Sequence, residues 1–141
     1  MPVKRVSSFE RNGDETRATE AVMLLDEMGV LASFYEIADA VFVGGSLVPS
    51  GGHNLVEPSF FEKPVLYGPF MENFYEMAEE FKKNQAAVQV SGPEELEKQL
   101  EDLISSPDKR RTLGLAARDL VRRHQGATEK NVKLLLTSLG V

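Results

Sequence analysis

The sequence predicts an α/β fold, a parallel sheet flanked by helices, and two observations carry that prediction. Short apolar runs at residues 21–25, 40–43, 65–67 and 86–90 alternate with stretches of helical periodicity. Each run is short and apolar on both sides, as parallel strands between helical layers are. In addition, several runs end in glycine-containing loops that hand over to a helix signal. In such sheets ligands bind beyond the carboxyl ends of the strands.

The elements follow in order. Residues 1–9 hold Val3, Val6 and Phe9 with basic residues between, and read as a short strand; Arg11-Asn12-Gly13-Asp14-Glu15 is a polar turn. Residues 20–28 contain Ala21-Val22-Met23-Leu24-Leu25, read as a buried parallel strand followed by the loop Asp26-Glu27-Met28-Gly29. Leu31, Phe34, Tyr35 and Ala38 recur at helical spacing and form one apolar face. Ala40-Val41-Phe42-Val43 is the next strand. A helix over residues 54–62 packs through Leu55, Phe60 and Phe61, with Pro58 tolerated only in its first turn. Lys63-Pro64 ends that helix, and Val65-Leu66-Tyr67 is a strand ending at Gly68-Pro69. Residues 72–83 are helical, with Phe74, Met77, Ala78 and Phe81 on one face, and residues 86–90 form a strand. Ser91-Gly92-Pro93-Glu94 opens the next helix as an S-x-x-E capping box, and Ser106-Pro107 repeats the device for a long helix to His124. Residues 127–139 form a last helix, with Val132, Leu135, Leu136 and Leu139 on one side.

The chain has 141 residues, 42% apolar and 27% charged, one domain by size. A net charge of −6 argues against nucleic acid as a partner. Without cysteine there is neither a disulfide framework nor a thiolate metal site, and with two histidines, His53 and His124, there is no multi-histidine metal site. No apolar run approaches the roughly 18–20 residues of a membrane span, and no secretory signal is visible, so a soluble, cytoplasmic domain is expected.

The candidate site is the stretch from Gly44 to Pro58. Gly44-Gly45 and Gly51-Gly52 allow close backbone approach to a ligand, and they equally suit a ligand-free strand-to-helix turn. The following helix N-terminus, with backbone N–H groups and a positive dipole end, suits an anion such as phosphate. Asn54 fits an N-cap; His53 fits a donor to an anion or a surface histidine. Glu57 is favourable in a first helical turn whatever else it does. Neither a Walker loop nor a dinucleotide fingerprint is present. Gly68-Pro69 with Asn73, and Met28-Gly29, are the other strand-end loops expected to converge on one crevice. The basic set Lys109, Arg110, Arg111, Arg118, Arg122 and Arg123 suits an anionic surface or, more ordinarily, a solvated helix face; the acidic set Glu72, Glu76, Glu79 and Glu80 reads as solvated.

Gly44-Gly45-Ser46-Leu47-Val48-Pro49, then Gly51-Gly52-His53-Asn54, Glu57-Pro58, Lys63-Pro64-Val65-Leu66-Tyr67-Gly68-Pro69 and Asn73-Phe74, resemble the C-terminal part of bacterial 3-deoxy-D-manno-octulosonic acid (Kdo) transferases. The resemblance is strong over residues 24–81 and looser in the helical tail. It implies a Rossmann-like, incomplete C-terminal domain of a GT-B glycosyltransferase, with residues 1–141 as a nucleotide-sugar donor domain ending in helices over 107–139. It implies transfer of Kdo from CMP-Kdo to a lipid A precursor with inversion, in lipopolysaccharide core synthesis, with no cofactor and no metal-bound nucleotide. It places the full-length protein at the cytoplasmic face of the inner membrane of a Gram-negative bacterium. By position, Gly44, Gly45, Ser46, Gly51, Gly52, His53 and Asn54 would hold the CMP phosphate and neighbouring groups. Glu57 would bind the ribose hydroxyls, while Met28, Gly29, Gly68, Pro69 and Asn73 would complete the nucleotide pocket. Pro49 stands where many retaining relatives of the fold carry the first glutamate of an E-x7-E pair, in keeping with inversion. No catalytic residue is assigned: the family's catalytic carboxylate and acceptor surface lie in an N-terminal domain not found in this sequence, so the chain alone is expected to be inactive. The alternatives are a non-catalytic interaction module that kept the fold, and part of a UDP-sugar epimerase of related fold.

Overall fold

The computed structural model describes residues 3–5 and 22–124. The expected turn at residues 11–15 and the expected helix at 127–139 lie outside them. The chain divides into two compact units, Met1–Ile37 and Ala38–Val141, each taken by itself below.

In the first unit, β1 (Val3–Arg5) pairs in parallel with β2 (Val22–Leu24), with Val3 opposite Val22 and Arg5 opposite Leu24. The strand at 22–24 is where the apolar run places it, but it is not buried: Val22, Met23 and Leu24 are all exposed. A parallel strand is buried only when layers cover both faces, and a run of apolar residues cannot by itself show that those layers exist. Helix α1 (Leu31–Ile37) half-buries Phe34 and Tyr35 but leaves Leu31 exposed; Ala38, expected on the same face, lies beyond the helix end.

The second unit holds a three-stranded parallel sheet in the order β3 (Val41–Val43), β4 (Val65–Tyr67), β5 (Val88–Gln89). Helix α2 (Val56–Phe60) lies in the β3–β4 crossover. A 3-10 turn (Glu72–Phe74) and α3 (Tyr75–Lys83) lie in the β4–β5 crossover, where the sequence predicted one continuous helix. Strand β4 is central, and its three residues are fully buried. Its period-2 alternation divides the core: Val65 and Tyr67 join Val43, Leu55, Phe81, Leu120 and Val121, whereas Leu66 joins Val90 and Leu103. Burying each such side chain is worth roughly 1.5–3 kcal/mol. Strand β5 is shorter than the expected 86–90, although Val90 N–H still donates to Tyr67 O at 2.8 Å.

Helix α4 (Pro93–Ser105) begins differently from the expected S-x-x-E box. Gly92 is the N-cap, and Ser91 N–H and Oγ–H both donate to the Glu95 carboxylate, at 2.8 and 2.6 Å, rather than to Glu94. Placing proline at the first helical position moves the box partner one residue on. Helix α5 (Pro107–His124) packs on α2, α4 and β4. Its Gly114 lies against the Glu62 carbonyl, where a Cβ would overlap, and Arg118 forms an ion pair with the Glu62 carboxylate. Much of the basic set is thereby engaged within the fold. Lys109 pairs with Asp102 at 2.6 Å, Arg110 donates to the Leu103 and Ile104 carbonyls at 2.7 Å, and Arg123 donates to Asn84 Oδ1 at 3.1 Å.

Candidate functional site

The carboxyl ends of β3 and β4 lie side by side, because Val43 is paired with Tyr67 in the parallel ladder. The loops that leave these two ends are joined to each other. After Val43 the chain turns through Gly44 and Gly45, buries Ser46 completely, and leaves Val48 exposed. It returns through Gly51 and Gly52, and Gly52 N–H closes the loop onto Gly45 O at 3.1 Å. Gly45, Gly51 and Gly52 all have positive φ, between +68° and +84°, which explains why glycine recurs there. The loop after β4 passes Gly68, whose missing side chain is required because a Cβ would overlap the Ser46 carbonyl. Ser46 Oγ accepts Gly68 N–H at 2.8 Å, Ser46 O accepts Phe70 N–H at 3.0 Å, and Gly51 O accepts Asn73 N–H at 3.1 Å.

The expected site residues therefore divide into two groups. Ser46, Gly51, Gly52 and Gly68 are buried and shape the loops, while Gly44, His53, Asn54, Glu57, Pro69 and Asn73 are exposed; Gly45 is half-buried. Met28 and Gly29 belong to the first unit, with Met28 fully exposed and Gly29 at φ +84°.

The helix following the glycine loop differs from the expected 54–62. Helix α2 is five residues long, and its Val56 N–H is already taken by Asn54 Oδ1 at 2.8 Å. Asn54 thus caps the helix from the position before Leu55, and the free helix-end amides expected for an anion are fewer than the sequence suggested. Pro58 falls in the first turn, as its missing N–H requires. Leu55 is fully buried and anchors the helix start, whereas Phe60, an expected packing residue, is exposed. With α2 so short, Phe60 falls on its last turn and the apolar face ends at Ser59, whose hydroxyl donates to Leu55 O at 2.7 Å.

The exposed groups set what the edge can recognise. Glu57 offers a carboxylate acceptor for paired hydroxyls, and the Asn54 and Asn73 amides add neutral donors. His53 lies with Nδ1 2.7 Å from Gly52 O; with the proton on Nδ1 it donates there, leaving Nε2 as an acceptor. Tyr67, directly before Gly68, is fully buried and donates to Ala78 O at 3.0 Å. Burial, with a smaller contribution from Glu79, pushes its phenol up to about 12, so it is a structural donor and not an acid–base group at neutral pH. A separate groove of about 440 Å³ lies between α2, α3 and α5, lined by Phe60, Met77, Phe81 and Leu120, and none of the strand-end loop residues faces it. Sequence reasoning missed Met71, buried against Gly52, and the double use of the Ser46 hydroxyl. The only signal for either was that Gly52 and Gly68 are glycines.

No protein-family profile matches the chain. A bifunctional glycosyltransferase/methyltransferase of Fusobacterium nucleatum is 39% identical over 99 residues, 70% of this chain and 15% of that protein. A 3-deoxy-D-manno-octulosonic acid transferase of Haemophilus influenzae is 39% identical over 115 residues, 81% of this chain and 27% of that protein. Among solved structures, the C-terminal CMP-Kdo binding domain of WaaA from Acinetobacter baumannii superposes with a TM-score of 0.76 at 29% identity, covering 86% of this chain and 61% of that one. The parallel sheet and the joined strand-end loops make an α/β domain that is similar to parts of glycosyltransferases in sequence and to one solved domain in fold. In particular, the chain is homologous to a part of the 3-deoxy-D-manno-octulosonic acid transferases, and its fold matches the C-terminal domain of the Acinetobacter protein. It spans about a quarter of the length of the Haemophilus relative. These relatives favour neither the interaction module nor the epimerase.

Proposed function

We propose that this chain is the donor-binding part of a Kdo transferase and that the joined loops after β3 and β4 bind CMP-Kdo. The observation that carries the reading is the structural likeness to a domain described as CMP-Kdo binding, at a TM-score of 0.76. The site agrees with it in chemistry. Glu57 would accept hydrogen bonds from the ribose hydroxyls. His53, Asn54 and the backbone of Gly44, Gly45, Gly51 and Gly52 would meet the phosphate, and Gly68, Pro69 and Asn73 would border the nucleotide. Ser46 would contribute from beneath the loop, its side chain being buried. The expected parts of Met28 and Gly29 rest on the family resemblance. The full-length enzyme would transfer Kdo with inversion to a lipid A precursor, for lipopolysaccharide, at the cytoplasmic face of the inner membrane. Inverting transfer needs a base on the acceptor hydroxyl, which another part of that protein would supply. Among the described residues no helix is long and apolar enough to cross a membrane.

Titrating CMP into the chain while following backbone amides by NMR tests the reading. Shifts are expected to cluster at residues 44–54 and 68–73, with weaker responses to UMP and UDP. No shift at millimolar CMP, or stronger binding of UDP, would overturn it.

A further inference from the structure

We propose that Ser46 is a positioning residue that locks the loop after β4 to the loop after β3 and so sets the geometry of the exposed groups that meet the nucleotide. The inference rests on the donor-site reading above and deepens it. The β3–β4 pairing ends at Val43 and Tyr67, and beyond a sheet edge nothing in the ladder keeps two loops together. Here Ser46 does so. Its hydroxyl donates to Val43 O at 2.5 Å and accepts Gly68 N–H at 2.8 Å, while its carbonyl accepts Phe70 N–H at 3.0 Å. The three bonds tie one residue of the first loop to its own strand end and to two residues of the second.

The side chain is fully buried and both roles of its hydroxyl are taken, so it does not itself contact a ligand. Alanine here would leave the Gly68 N–H without its acceptor in a place water does not reach, which favours separation of the loops. The fit is tight on the other side as well, since a Cβ on Gly68 would overlap the Ser46 carbonyl and come within 2.8 Å of Leu47 N. A second tie, Asn73 N–H to Gly51 O at 3.1 Å, lies farther along the same pair of loops. The groups held in place are the exposed ones: Gly44, His53, Asn54, Pro69 and Asn73.

Ser59→Ala supplies a matched control. Ser59 is equally buried and its hydroxyl also donates to a backbone carbonyl, that of Leu55, but the bond stays within α2 and joins no loops. The experiment measures CMP affinity and amide hydrogen exchange on the 141-residue chain for wild type, Ser46→Ala, Gly68→Ala and Ser59→Ala. Ser46→Ala and Gly68→Ala are expected to weaken CMP about tenfold or more, the scale of losing one or two ordered hydrogen bonds, with Ser59→Ala binding as wild type. Exchange should quicken not only at Gly68 and Phe70 but also at Asn73, which has no bond to Ser46. Wild-type affinity in Ser46→Ala, or an equal loss in Ser59→Ala, would overturn the proposal. If wild type binds no CMP, the donor-site reading fails, and exchange alone judges the lock: quickening at Asn73 supports it, and quickening confined to Gly68 and Phe70 overturns it. If Ser46→Ala does not fold, amide exchange in Gly68→Ala carries the test: quickening at Asn73 supports the lock, and quickening confined to Gly68 and Phe70 overturns it.

Discussion

Tyr67 shows how its surroundings set the properties of a single side chain. It ends the central strand, is fully buried, and donates its hydroxyl to Ala78 O. Its pKa of about 12, against an ordinary 10.0, means that folding favours the protonated phenol. That contribution is fully present below pH 10 and is lost as pH rises through 12; the shift corresponds to about 2–3 kcal/mol. Unfolding free energies measured between pH 8 and 12 should fall more steeply above pH 10 in wild type than in Tyr67→Phe, which has no phenol to ionise. Glu95 works in the opposite sense: its hydrogen bonds from Ser91 hold its carboxyl below the usual range, so the capping contribution is present at neutral pH and fades as pH falls into the acid range. Ser91→Ala should therefore lower the melting temperature at pH 7 and have little effect at acid pH. Of the residues at the site, the paired glycines and Asn54 were legible because turn and cap chemistry leave local marks in sequence. Ser46 was legible only as a loop serine, because its partners at Gly68 and Phe70 lie more than twenty positions away.

At the scale of elements, the Ser106-Pro107 signal located the start of α5, yet it did not reveal what the helix rests on. Glycine inside a helix ordinarily costs about 1 kcal/mol relative to alanine, and α5 carries Gly114 in its interior. In the fold it is where α5 meets the chain just beyond α2, since the Glu62 carbonyl occupies the space a Cβ would need. Gly114→Ala is accordingly expected to destabilise by about 1–3 kcal/mol despite its better helix propensity, read as a lower urea midpoint with unchanged m value. An unchanged or raised midpoint would show that the contact yields without cost. Helix α2 was foreseen longer than it is, because Asn54 and Glu62 carry helix-compatible signals that the folded chain spends on capping and on a residue with φ +59°. Strand β2 was foreseen buried because an apolar run shows the preference of the strand but not whether a covering layer exists.

For the whole molecule, alternation of strands and helices was enough to specify the parallel sheet of the second unit, but not the order of its strands. The ligand was not legible in that pattern. Glycine loops at strand ends suit many anions, and only the family likeness names CMP-Kdo for this edge. Glu57 is proposed to hold the ribose of a cytidine nucleotide, and a thermodynamic cycle isolates that role. Calorimetric affinities of CMP and its 2′,3′-dideoxy analogue would be compared in wild type and Glu57→Ala. Losing the ribose hydroxyls should weaken binding about ten- to a hundredfold in wild type, the scale of hydrogen bonds to a charged acceptor, and have almost no effect in Glu57→Ala. An equal loss in both proteins would contradict the assignment of Glu57 to the ribose.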